Sequence, residues 1–212
     1  MAGLRERKKQ QTRLHISDVA TGLFLERGFD AVTVAEVAEA ADVSVNTVYN
    51  YFPTKEDLFL DRGAEFVDRP SRRVRERLPG ESAADAVLRG LREDIADRQP
   101  WMGLTEGYGR FMRIAFGSSA LMARLMRMQQ ETTQRLSETL AEEVGAEDGD
   151  HTPSLIALQL MSLQGDIYRT AGMCAMERRT VDRTARVMLE RLEVAESLMS
   201  EQVRGYARRP PA

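Results

Sequence analysis

Residues 33 to 58 read Thr-Val-Ala-Glu-Val-Ala-Glu-Ala-Ala-Asp-Val-Ser-Val-Asn-Thr-Val-Tyr-Asn-Tyr-Phe-Pro-Thr-Lys-Glu-Asp-Leu, and the punctuation of this stretch decides the architecture. Thr33 with Glu36 three residues on is a capping box, so a short helix opens there with Val34, Val37, Ala38 and Ala41 as its buried stripe. That helix ends by Asp42, a residue type that tolerates the positive φ a tight turn demands. Ser44 then caps a second short helix carrying Val45 through Phe52, which Pro53 stops, and Thr54 caps a further helix with Asp57 at its capping-box position. Two short helices joined by a four-residue turn have the plan of a helix-turn-helix. The second helix can enter a DNA major groove because its outward side chains are short or able to hydrogen-bond, while Val48 and Phe52 anchor its inner face.

Upstream, Ile16, Val19, Ala20, Leu23 and Phe24 recur at helical spacing and stop at Gly28, which predicts a first helix over about residues 5 to 27. Downstream, the helix capped by Thr54 should run on through Leu58, Phe59, Gly63 and Phe66 to Pro70. Longer helices are expected near residues 71–78, 82–98, 101–116, 118–145, 153–177 and 180–206, broken by prolines, glycines and Arg178-Arg179. Strand alternation and hairpin dipeptides are missing, so the fold class is all-α. The expected organisation is an N-terminal three-helix helix-turn-helix domain over residues 1–62, a larger C-terminal helical bundle over 63–206, and a disordered tail over 207–212.

The 212 residues carry 42% hydrophobic and 30% charged side chains, enough for a core that needs no metal or disulfide, and the one cysteine, Cys174, cannot form an intrachain bridge. A reducing cytoplasm fits, and no apolar run approaches a membrane span. The net charge of −3 hides a basic arm: residues 1 to 13 hold Arg5, Arg7, Lys8, Lys9 and Arg13 against Glu6, five minus one or +4. Converging catalytic groups are scarce. His15 and His151 are far apart, Cys174 has no nearby motif, and Gly103, Gly107 and Gly109 lack the Lys-Ser/Thr of a phosphate loop. No metal-ligand spacing is present, so neither an enzyme nor a cofactor is expected.

Residues 33 to 58 resemble the DNA-binding signature of the tetracycline-repressor (TetR) family, with Thr33, Ala38, Ala41, Val43, Ser44, Thr47, Tyr49, Phe52, Lys55 and Leu58 in the family's places. Asp42 stands where that family usually has glycine. The resemblance implies that Thr33, Ser44, Tyr51 and Lys55 contact phosphates, and that Val45, Asn46, Thr47, Tyr49 and Asn50 face the groove or its edge. Their chemistry agrees: Asn pairs bidentately with adenine, and Val and Thr methyls can meet a thymine methyl. The function expected is that of a ligand-responsive repressor, binding a palindromic double-stranded operator as a homodimer and released by a small, largely apolar effector. The alternative is a helical protein-binding adaptor that no longer reads DNA.

Nine of the 11 methionines lie between Met102 and Met188. A pocket lined by Trp101, Met102, Tyr108, Phe111, Met112, Met122 and Met126, with Gln164 and Tyr168 as polar partners, would suit a deformable ligand site. Asp166, if buried, would favour a cationic ligand. Pairing of subunits is expected through the two C-terminal helices: Val181, Ala185, Met188, Leu192, Ala195 and Met199 form a stripe on the last. The preceding helix is apolar on two sides, with Leu155 and Leu158 on one and Ile156, Leu160, Leu163 and Ile167 on the other.

Overall fold

The computed structural model describes residues 2–61 and 63–211, and among them every regular element is a helix. The chain divides into two compact units. The first contains the residues up to Gly63 together with Arg113–Leu125; the second contains Ala64–Met112 and Met126–Ala212. Recruitment of residues 113–125 into the first unit was not legible in the sequence, which places the boundary at residue 62 alone.

In the first unit, α1 (Ala2–Arg27) packs on α2 (Val34–Ala40) and α4 (Lys55–Phe59), and α2 packs on α3 (Val45–Tyr51). Ile16, Ala20 and Phe24 of α1, Val37 and Ala38 of α2, Val48 of α3 and Phe52 are buried together. Phe24, Phe29 and Phe59 form a ring cluster with centroids 5.4 to 5.6 Å apart. A buried aromatic trio gives this small unit much of its apolar burial. Arg13, counted in the sequence as part of the basic arm, is used internally: its guanidinium pairs with Asp61 and lies 5.2 Å from the Phe52 ring centroid. Arg7, Lys8 and Lys9 remain exposed on the first turns of α1.

The second unit holds α5 (Gly63–Arg75), α6 (Ala83–Ala96), a 3₁₀ turn at Pro100–Met102, the start of α7 (Tyr108–Gly117), most of α8 (Ser119–Val144), α9 (Thr152–Met176), α10 (Val181–Ser197) and α11 (Glu201–Gly205). Leu88, Leu91, Ile95, Met102, Leu136, Leu140, Leu160, Met188 and Leu192 are its core.

Several boundaries differ from the expected ones. The helix capped by Thr54 ends at Phe59 instead of Pro70, and α5 passes through Pro70. An internal proline costs a helix about 3 kcal/mol. Here Val67, Pro70, Ser71 and Val74 are all buried, and that packing offsets the loss. The expected helix over 101–116 splits because Gly103 and Gly107 both take positive φ, at 74° and 83°. The last helix breaks before Ser200, whose hydroxyl accepts from the Val203 N–H and starts α11. The tail is tied down through residue 209: Arg209 exchanges backbone hydrogen bonds with Gly80 and Glu81, and its guanidinium donates to the Arg75 and Arg77 carbonyls at 2.7 Å.

Packing also corrects the expected pairing stripe. Ala185, Met188 and Leu192 of α10 are buried against α9 within the same subunit. The uncovered apolar face lies elsewhere on these helices, at Leu155, Leu158 and Met173 of α9 and at Val194 and Leu198, the last 80% exposed.

Candidate nucleic-acid interface

The turn before α3 is built as its residue types require. Asp42 has φ of 52°, and the Val43 N–H donates to the Ala38 carbonyl, closing the C-terminus of α2. The α2 cap is complete: the Glu36 N–H donates to Thr33 Oγ1 at 3.2 Å, while Glu36 Oε2 accepts from the Thr33 N–H at 2.7 Å. Arg27 braces the same carboxylate at 2.7 Å. The Thr33 backbone N–H first, and then Arg27, hold the Glu36 pKa down at about 2.

At α3, Ser44 Oγ accepts from the Thr47 N–H at 3.0 Å and lies 2.8 Å from Thr47 Oγ1. Capping here fixes the first turn of the helix, worth about 1 kcal/mol, and holds two hydroxyls at its exposed end. Val48 and Phe52 point inward, leaving Val45, Asn46, Tyr49 and Asn50 exposed at positions i, i+1, i+4 and i+5 of one face. Tyr49 is 48% exposed and Val45 38%, values that set them apart from packed residues of the same size. Thr47 and Tyr51 are half-buried at the edges of that face. Lys55 is half-buried in the first turn of α4, its Nζ 4.3 Å from the Phe29 ring centroid. The nine residues thus belong to the first unit, with groove-type side chains on α3 and cap hydroxyls at the N-termini of α2 and α3.

Residues 16–61 match the family described as bacterial regulatory proteins, tetR family. Residues 16–61 are thus a tetR-family DNA-binding region. It is 28% identical over 160 residues to the HTH-type transcriptional regulator TcmR of Streptomyces glaucescens, an alignment covering 73% of this chain and 70% of TcmR. Its fold is similar to that of NalD, the secondary repressor of the MexAB-OprM multidrug efflux pump in Pseudomonas aeruginosa (TM-score 0.55, 18% identity, 88% of this chain and 97% of that one). It is likewise similar to FadR of Bacillus subtilis, solved in complex with stearoyl-CoA (TM-score 0.54, 18% identity, 88% and 99%). Like the regulators it matches, the chain acts by binding DNA and is not an enzyme.

One support of the regulator's α4 was invisible in the sequence. Asp57 in its first turn accepts from Thr54 Oγ1 at 2.7 Å and from Arg124 Nε at 2.7 Å, across 67 positions but within the first unit. Burial opposes ionisation of Asp57, yet the hydrogen bonds from Arg124 and Thr54 outweigh it and keep its carboxyl below the usual range.

The expected effector-pocket residues are only partly brought together. Trp101, Tyr108 and Tyr168 pack against the core of the second unit, where Met102 and Gln164 are buried, and Tyr108 and Phe111 stack at 5.8 Å. Met112 lies close enough to α9 that a Cβ on Gly172 would sit 3.2 Å from its Cε. Met122 belongs to the first unit, and Met126 is 61% exposed, so neither joins the second unit's core. Asp166, proposed as a buried anion, is held below its usual pKa by hydrogen bonds from Arg191 and Arg169, and both arginines neutralise it. An open depression of about 310 Å³ between α8 and α9 is lined by Gln129, Thr133, Ser137, Ser154, Leu158 and Ser162, none of them among the expected pocket residues.

Proposed function

We propose that this regulator is a ligand-responsive repressor that works in the cytoplasm as a homodimer, binds a two-fold operator through α3, and is released by a small, largely apolar effector held in its second unit. The observation carrying the DNA-reading assignment is the outward face of α3, where Val45, Asn46, Tyr49 and Asn50 stay exposed while Val48 and Phe52 anchor the helix. In this reading Asn46 and Asn50 read base edges, the Val45 and Thr47 methyls meet thymine, and Thr33, Ser44, Tyr51 and Lys55 hold phosphates.

Pairing uses the uncovered face of α9 and α10, because Leu155, Leu158, Met173, Val194 and Leu198 form apolar stripes with no cover in one subunit. A two-fold pair sets two α3 helices about 34–36 Å apart, one turn of DNA. The effector acts where the chain passes from the first unit into α5, shifting the two α3 helices out of register with a coupling of about 1–3 kcal/mol. The names of NalD as a repressor and of FadR with its stearoyl-CoA support a ligand-responsive repressor.

A mobility shift with the DNA upstream of the protein's own coding region tests the reading. Wild type should bind at low salt as a dimer, and Tyr49→Ala should weaken the complex. No binding, or binding untouched by that substitution, would favour the adaptor reading. Sedimentation of Val194→Glu/Leu198→Glu should give a monomer with its helical content intact; an unchanged dimer refutes the pairing face.

A further inference from the structure

Inside the second unit, Arg69 and Arg73, one turn apart on α5, converge on a single oxygen of Asp94 on α6. Arg69 Nη1 is 3.3 Å from Asp94 Oδ2 and Arg73 Nη2 is 2.5 Å from it. Trp101 Nε1 donates to the same oxygen at 3.1 Å, and the Arg69 guanidinium lies 4.0 Å over the Trp101 ring. Arg73 also donates to the Gly90 carbonyl at 2.9 Å and occupies the space that a side chain at position 90 would fill. Arg69 and Asp94 are each 8% exposed, and Arg69 Nε is buried with no acceptor.

The charge count does not close. Among the described residues two guanidiniums face one carboxylate, an excess of +1 in a largely buried place where an unpaired charge is costly. A purely structural ion pair would need only one of these arginines. The surroundings are aromatic: Phe66 meets Tyr168 at 4.6 Å between ring centroids, and Trp101, Tyr108 and Tyr168 pack against the core of the same unit. Burial raises the pKa of Tyr168 above its ordinary range and that of Tyr108 to about 12, so both hydroxyls remain neutral donors. An unspent Arg69 Nε, one surplus positive charge and aromatic neighbours together describe a receptor for an anion with an apolar body.

We propose that the Arg69–Arg73–Asp94 cluster anchors the effector, and that the effector is a lipophilic weak acid whose carboxylate pairs with Arg69 beside Trp101. The assignment rests on the ligand-responsive reading above and names the chemical class that this site takes. A cationic effector is disfavoured, because the cluster is already positive and Asp166 is already paired.

Trp101 is the chain's one tryptophan, so selectively excited tryptophan emission reports on this cluster. The full-length protein is titrated with dodecanoate and 2-naphthoate, each beside its methyl ester, and with dodecylamine. At least one acid should change Trp101 emission saturably and bind about ten-fold or more tighter than its ester, the size expected of one charge-assisted hydrogen bond. Arg69→Gln should abolish that preference, while Asp94→Asn, which removes the competing negative charge, should tighten the acid further. Esters or dodecylamine binding as tightly as the acids, no probe perturbing Trp101, or both substitutions weakening the acid would overturn the proposal. Operator anisotropy on the same samples separates the two claims. Release by the ester or amine alone refutes the anion site and leaves the ligand-responsive reading standing; acid binding at Trp101 without any change in DNA affinity does the reverse.

Discussion

Lys55→Met separates two jobs that one side chain could hold. The Lys55 ammonium lies 4.3 Å from the Phe29 ring centroid and 5.9 Å from that of Phe24, at the N-terminus of α4, where the family resemblance puts a phosphate contact. Methionine keeps the aliphatic stem over the rings and removes only the charge. If Lys55 neutralises one phosphate per subunit, a dimer loses two contacts. The slope of log K against log salt should then shrink by about 1.8, from about 0.9 per phosphate. Between roughly 50 and 200 mM salt, that difference amounts to about a ten-fold narrowing of the gap between wild type and variant. Loss of the cation over the ring should cost only about 0.5–1 kcal/mol of folding stability. The assay is fluorescence anisotropy of a labelled operator fragment across the salt series, with thermal melting in parallel. An unchanged salt slope beside a lowered melting temperature would refute the phosphate role and leave Lys55 as a member of the aromatic cluster.

Other substitutions have different signatures. Asn46→Ala should leave the salt slope unchanged while relaxing preference at one base pair by about 1–3 kcal/mol, read by selecting bound sequences from a random pool. Glu36 has a depressed folded-state pKa of about 2, so its stabilisation is present above the ordinary carboxylate range and is lost as the pH falls through that range toward 2. Denaturation of Glu36→Gln between neutral and acid pH should therefore show a shallower acid loss than wild type; parallel curves would contradict the capping-box assignment. Gly109→Ala puts a methyl group against the Ala175 backbone carbonyl, so α7 and α9 must part, at a cost of about 1–3 kcal/mol in denaturant titration.

The helix-turn-helix was legible because its determinants are local. Thr33, Ser44 and Thr54 each cap the helix that starts one residue later, and Asp42 adopts the positive φ its residue type permits; no contact farther than four residues along the chain is needed to infer either. Long-range partners left no such trace. Arg124 meets Asp57 across 67 positions, and Arg69 and Arg73 meet Asp94 across 25 and 21, yet each reads in sequence as one more charge on an amphipathic helix. The stripe Ala185-Met188-Leu192 failed for a related reason. Periodicity reports that a face is covered but not by what, and here the cover is the same subunit's α9. Pro70 misled because tertiary packing outweighed a local helix-breaking preference.

The attachment of Arg209 also bears on how the protein is made. Its guanidinium supplies donors to the Arg75 and Arg77 carbonyls, groups that leave the ribosome more than 130 residues earlier. Until residue 209 has been made those carbonyls lack this partner, and the seam beside them closes only once residue 209 has emerged. The hairpin-like neighbourhood of α1 to α4 has its main contacts close in sequence and can settle while synthesis continues. Pulse-labelled nascent chains arrested just before residue 209 should accordingly expose the end of α5 to protease and become protected there once residue 209 has emerged.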